Sequence, residues 1–160
     1  FNVFVNTHSW AGVAESLTIP KITKKTEDYR GAGMIGDIAL ALGYEKLEGE
    51  VTYAGFDVKQ YRQLGVCGTS DLPVRYVGVY ERQDNCTTQT VEIYTRGQAL
   101  ELDPGDSKNG EKTEIKMSYN YTYFRMEVDG VVEVELDFIN GTERFGSTDI
   151  AEEIKKLLGL

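Results

Sequence analysis

Apolar residues recur along this chain mostly at every second position, the spacing of half-buried strands, and few stretches sustain a helical period. Val3 to Val5 is a brief apolar run followed by a polar turn from Asn6 to Gly12. Leu17, Ile19 and Lys21 then alternate with Thr18 and Pro20. Pro20 has no N–H to give to a ladder, which places it at a sheet edge or a strand end. Thr26 to Gly36 reads as a polar loop punctuated by Gly31, Gly33 and Gly36. Ile38, Leu40 and Leu42 alternate with Asp37, Ala39 and Ala41, and Leu47, Gly49, Val51 and Tyr53 follow on one face of a second strand. The two strands are expected to form a hairpin about Gly43 and Tyr44.

Phe56 to Leu64 is the first helix candidate, with Phe56, Tyr61 and Leu64 as its apolar residues and Gly65 placed to stop it. Pro73–Tyr80 and Thr90–Leu100 read as a pair of strands joined by the polar stretch Glu81–Thr88. A turn-rich loop, DPGDSKNG, follows Leu102. Thr113 to Val128 is the longest strand candidate. Its apolar face, Ile115, Met117, Tyr119, Tyr121 and Tyr123, changes parity to Phe124, Met126 and Val128, which predicts a bulge or bend. Asp129-Gly130 is a two-residue hairpin signal. The returning strand sets Val132, Val134, Leu136 and Phe138 against Glu133, Glu135 and Asp137. Ser147 to Leu158 closes the chain as a helix, capped by Ser147, Thr148 or Asp149, with Ile150, Ile154, Leu157 and Leu158 as the buried stripe.

The 160 residues suit one domain, and 41% hydrophobic content suits a folded one. The net charge of −9 and the lack of a basic cluster with interleaved aromatics argue against a nucleic-acid-gripping module. No run approaches the length of a membrane helix and no signal-peptide pattern is seen, although the start at Phe1 leaves room for a short missing leader. Cys67 and Cys86 read as small, buried or partly buried thiols.

Candidate chemistry is sparse. His8 is the only histidine and lies in a turn, and no nucleophile elbow, zinc helix or phosphate loop is present. The glycines at 31, 33 and 36 precede a strand, so no helix N-terminus is there to hold a phosphate. Glu133 and Glu135, or Glu48 and Glu50, are neighbours on one strand and create no cleft for glycoside hydrolysis. Asp103, Asp106 and Glu111 lack an EF-hand pattern. The tyrosine row from 119 to 123 reads as a packing face. No catalytic residue, metal ligand or cofactor is assigned.

One segment, TIPKITKKTEDYRGAGM, carries more, through Pro20-Lys21, Thr26-Glu27, Tyr29-Arg30 and Gly33-Met34. With Asn2-Val3-Phe4, Leu42-Gly43, Arg96-Gly97, Asp103-Pro104-Gly105-Asp106, Gly110-Glu111-Lys112, Val128-Asp129-Gly130, Glu135-Leu136-Asp137, Asn140-Gly141 and the final Leu158-Gly159-Leu160, it resembles the major tail tube proteins of contractile-tailed, P2-like phages. It is also similar to R-type bacteriocin tubes. Departures are the absence of some ten residues usual before this start, the stretch Glu81–Thr90, and the His8-Ser9-Trp10 turn. The resemblance implies a mainly β, antiparallel β-sandwich or barrel with a short side helix and a C-terminal helix, in one ring-forming domain over residues 1–160. It implies no enzyme. Six copies would form a ring, and rings would stack into a tube that conducts DNA, or ions in a bacteriocin.

On that reading the 26–36 loop is an interface element between subunits, with Tyr29, Arg30 and Met34 as its contact residues. Glu48 and Glu50, then Glu92 and Glu114, are candidate lumen-facing acids. Glu133, Glu135 and Asp137 are candidates to face outward toward the sheath. Implied partners are further copies of the chain, the sheath, baseplate and tail terminator proteins, and the tape measure protein and DNA that pass through the lumen, without membrane binding. Location in the virion tail, after assembly in the host cytoplasm, completes the expectation. From a different class, a monomeric ligand-binding β-sandwich is the competing reading.

Overall fold

The computed structural model describes residues 1–149 and 152–159. Twelve strands and two short helices are assigned among them, in the order β1 (Asn2–Val5), β2 (His8–Ser9), β3 (Ala14–Thr18), β4 (Lys24–Tyr29), β5 (Ile38–Tyr44), β6 (Leu47–Ala54), α1 (Val58–Leu64), β7 (Leu72–Glu81), β8 (Thr88–Asp103), β9 (Glu114–Val128), β10 (Val131–Asp137), β11 (Thr142–Phe145), β12 (Thr148–Asp149) and α2 (Glu152–Leu158). All pairings are antiparallel.

Two long strands organise the body. β8 runs along one edge of β9 for most of its length. The other edge of β9 is shared, with β6 beside Glu114–Tyr121 and β10 beside Tyr123–Val128. The register slips by one residue where Arg96 faces Tyr123 but Gly97 faces Tyr121, so Thr122 is the extra residue that the parity change anticipated. There the strands pass from one layer, β3-β6-β9-β8, into a second that continues through β10, β9, β8, β7 and β1. Residues of both layers meet in one core: Leu47, Val51, Tyr53, Met117, Tyr119 and Tyr121 from the first, and Val3, Val5, Val74, Tyr76, Ile93, Phe124 and Leu136 from the second. The tyrosine row is therefore packing, except that Tyr123, beyond the bulge, turns to the opposite face.

Several expectations need correction. Thr26–Gly36 is not a loop throughout. β4 pairs with β5, Tyr29 opposite Ile38, and only the tip between them is irregular. β5 consequently makes no hairpin with β6, which pairs with β3 and β9 instead. The free edge of β3 agrees with the position of Pro20 just after it. β8, at 16 residues, exceeds β9 by one.

α1 begins with a capping box, in which the Asp57 carboxylate accepts from the Lys59 N–H at 2.9 Å and the Asp57 N–H donates to Gln60 Oε1 at 3.2 Å. Gly65 caps its end, as expected. Its inward residues are Gln60 and Gln63, while Phe56, Tyr61 and Leu64 are exposed. Two glutamines are tolerated inside because they meet polar groups: Tyr119 Oη donates to Gln63 Oε1 at 2.5 Å and pairs with Tyr53 Oη at 3.0 Å.

At the C-terminus the helix starts at Glu152, because Thr148 and Asp149 pair with Phe145 and Arg144 in a strand ladder. Ile154, Leu157 and Leu158 are exposed in the single chain, so they form no buried stripe there. Ile150 and Leu160 lie outside the described residues. Cys67 and Cys86 are exposed and unpaired, where buried or partly buried thiols were expected.

Candidate assembly surfaces

The β4–β5 arm stands apart from the body as its own two-stranded sheet. Both of its faces are open: every residue of β4 is exposed, as are six of the seven in β5. Ile38, Leu40 and Leu42 expose 47%, 42% and 58% of their surface, and Ile35 at the tip 99%. A two-stranded ribbon in water is marginal, and apolar rows on it favour cover by another surface. The arm is fixed at its base, where Tyr44 Oη donates to Glu143 and the Tyr44 ring stacks on Phe138. Burial first, then that contact with the Glu143 carboxylate, pushes the Tyr44 phenol up to about 12.

The tip closes on itself. Arg30 Nη2 donates to the Ile35 carbonyl at 3.4 Å, and the Gly31 N–H lies 3.0 Å from Met34 Sδ. Tyr29, half exposed, ends β4 beside them. The structure thus brings Tyr29, Arg30 and Met34 together at one extremity of the arm.

The outward face of the first layer is read from register. Glu48 lies opposite Asn120, Glu50 opposite Ser118, and Glu101 opposite Ser118 from the other side. Glu48, Glu50 and Glu101, with Lys21 as the one cation, line a concavity of about 540 Å³. Glu114 lies on the same face at its end, opposite Ala54 and 4.0 Å from Lys112 Nζ. Glu101 escaped the alternation pattern because Leu100 is a second extra residue, between the Ala99–Tyr119 and Glu101–Ser118 pairs. On the side of β3 away from β6, and on the side of Gln98–Asp103 in β8 away from β9, the backbone pairs with no strand among the described residues. The first layer therefore carries an unused edge on each flank.

Glu92 belongs elsewhere. It lies beyond the bulge, on the second layer, where Arg75 Nη2 contacts its carboxylate at 3.2 Å and Tyr94 Oη donates to it at 2.5 Å. The Tyr94 hydrogen bond, against partial burial and with help from Arg75, holds the Glu92 carboxyl below its usual range. Register puts Glu135 opposite Arg125 and Asp137 opposite Tyr123 on that same face. Glu135 pairs with Arg144 at 3.9 Å, and Asp137 accepts from the Ile139 and Asn140 N–H groups. Glu133, exposed, is the extra residue of a bulge in β10. Lumen and sheath candidates so divide between the two layers, with Glu92 moved to the second.

Among the described residues no three His, Cys, Asp or Glu side chains converge as a metal set, and no helix is long and apolar enough to cross a membrane. His8, exposed on β2, packs its ring edge-on to Trp10 at 4.9 Å.

Residues 1–159 match the family described as Phage tail tube protein FII. The tail tube protein of Escherichia phage P2 is 41% identical over 162 residues, covering 99% of this chain and 94% of that protein. The major tail tube protein of Serratia phage KSP20 is 31% identical over 163 residues, covering 100% and 94%. Among solved structures, the tube-terminating cap of the anti-feeding prophage shares the fold at a TM-score of 0.57 and 10% identity, over 79% of this chain and 86% of that one. The sheath–tube complex of the extracellular contractile injection system PVC does so at 0.54 and 11%, with the same coverage.

Proposed function

The chain belongs to the phage tail tube family and is a structural protein of a contractile tail, not an enzyme, and we propose that it builds the inner tube by joining copies edge to edge into rings that stack. The observation that carries this reading is the first layer, whose four strands leave unpaired backbone on both flanks. Unpaired edges invite pairing, and a closed ring removes them. Strand direction is compatible. β3 and β8 are antiparallel to one another within the layer, so rotation about a tube axis brings β8 of one copy beside β3 of the next as an antiparallel pair.

Six copies per ring, the number the family resemblance implies, is part of the proposal. With the core on one side of the layer, the concave face bearing Glu48, Glu50 and Glu101 lines the lumen, joined at its end by Glu114. Carboxylates there leave DNA phosphates unneutralised, so the genome slides past without adhering. Glu92, Glu133, Glu135 and Asp137 then lie on the outward layer toward the sheath. The arm, with Tyr29, Arg30 and Met34 at its tip, reaches the adjoining ring. Sheath, baseplate, tail terminator and tape measure proteins are the proposed partners, with assembly in the host cytoplasm and residence in the virion tail. A bacteriocin tube conducting ions would use the same surfaces.

Negative-stain microscopy and sedimentation of the purified protein over a concentration series test the reading. Rings or filaments that grow with concentration are expected. A monomer at every concentration, with a ligand-dependent rise in melting temperature, would favour the competing ligand-binding sandwich.

A further inference from the structure

A hollow whose walls include Lys59 and Arg62 carries no carboxylate, in a chain with 26 acidic and 17 basic residues. It lies between α1 and the β1–β2 turn and measures about 220 Å³. Its walls include His8, Trp10, Lys59, Arg62 and Gln63. Lys59 and Arg62 are three apart on α1, so they share one side of the helix. Neither has a salt-bridge partner among the described residues. Trp10, only 2% exposed, has an indole Nε1–H with no acceptor.

We propose that the hollow is a carboxylate-accepting contact between copies of this chain, occupied in the assembled tube by an acidic side chain of a neighbouring copy. The inference rests on the tube reading and adds to it a specific charged contact. Subunits of net charge −9 repel one another, and assembly needs local sites where that repulsion is reversed. Two unpaired cations at one hollow meet that need, and a second copy supplies surplus carboxylates at high local concentration. A polynucleotide is a poorer occupant, since two cations form no track and the chain as a whole carries a net charge of −9.

The test compares the wild-type protein with Lys59→Glu/Arg62→Glu and with the conservative pair Lys59→Arg/Arg62→Lys. Circular dichroism and Trp fluorescence check that each is folded. Sedimentation and negative stain then report the concentration at which rings or filaments form. The reversal is expected to raise that concentration about tenfold or more, and the conservative pair to restore it. If the double reversal does not fold, Arg62→Gln alone, on an exposed position, is expected to shift assembly in the same direction. Equal assembly by wild type and a folded reversal would overturn the contact while leaving the tube intact. Failure of the wild type to assemble at all would overturn the contact and the tube reading together.

Discussion

Gly97 sits where β8 leaves one layer for the other, and a Cβ built there would lie 1.9 Å from the Asn120 carbonyl oxygen. That oxygen is backbone and cannot swing away. Gly97→Ala is therefore expected to cost about 3 kcal/mol, read as a lower urea midpoint with an unchanged slope. Buried phenols set a second residue-scale expectation. Burial first, with the Tyr53 phenol nearby, pushes Tyr119 and Tyr121 up, against a lowering hydrogen bond with Thr95 at Tyr121, and Tyr76 rises to about 12 through burial and its contact with Tyr80. A folded phenol raised above its unfolded value of 10.0 stabilises the protein fully below pH 10.0, and that contribution fades as pH climbs toward the folded value. Tyrosinate absorbance is thus expected to rise in two stages, the exposed phenols first and the buried ones only with unfolding. A single stage centred near 10 would contradict the packing of these rings.

At the level of elements, α1 and the β4–β5 arm behave differently. α1 is short and held by its cap and by Gln63 under Tyr119, so Asp57→Ala is expected to destabilise by about 1 kcal/mol in thermal unfolding. The arm contributes almost nothing to the core. Tyr29→Ala with Arg30→Ala is expected to leave the circular dichroism and melting temperature nearly unchanged and to shorten filaments in negative stain. Unchanged filament length would remove the tip from the contacts between rings.

For the whole molecule the divided charge pattern is decisive. Glu48→Lys with Glu50→Lys places cations on the concave face, away from the edges that join copies, so tubes are expected to form while DNA ejection slows. A normal ejection rate in phage carrying both changes would take this face out of the lumen. The same substitutions are expected to leave sheath attachment unaffected, because the outward layer lies beyond the corner at Gly97 and Thr122.

Much of this was legible in the residues themselves. Period-two alternation located most of the strands, the parity change at Tyr123 announced the bulge, and Asp129-Gly130 marked a turn whose residues have φ of 49° and 82°. These are local signals, fixed by side-chain direction and backbone sterics over a few residues. Partner choice among strands is not local. β5 and β6 are adjacent in sequence and alternate alike, yet one forms the arm and the other the core layer, since only β6 finds β9 across which to bury Val51 and Tyr53. Likewise Glu92 and Glu48 read identically along their strands. Only the bend that carries β8 from one layer to the other places them on separate surfaces, because a strand's alternation defines two faces but not which way either face looks.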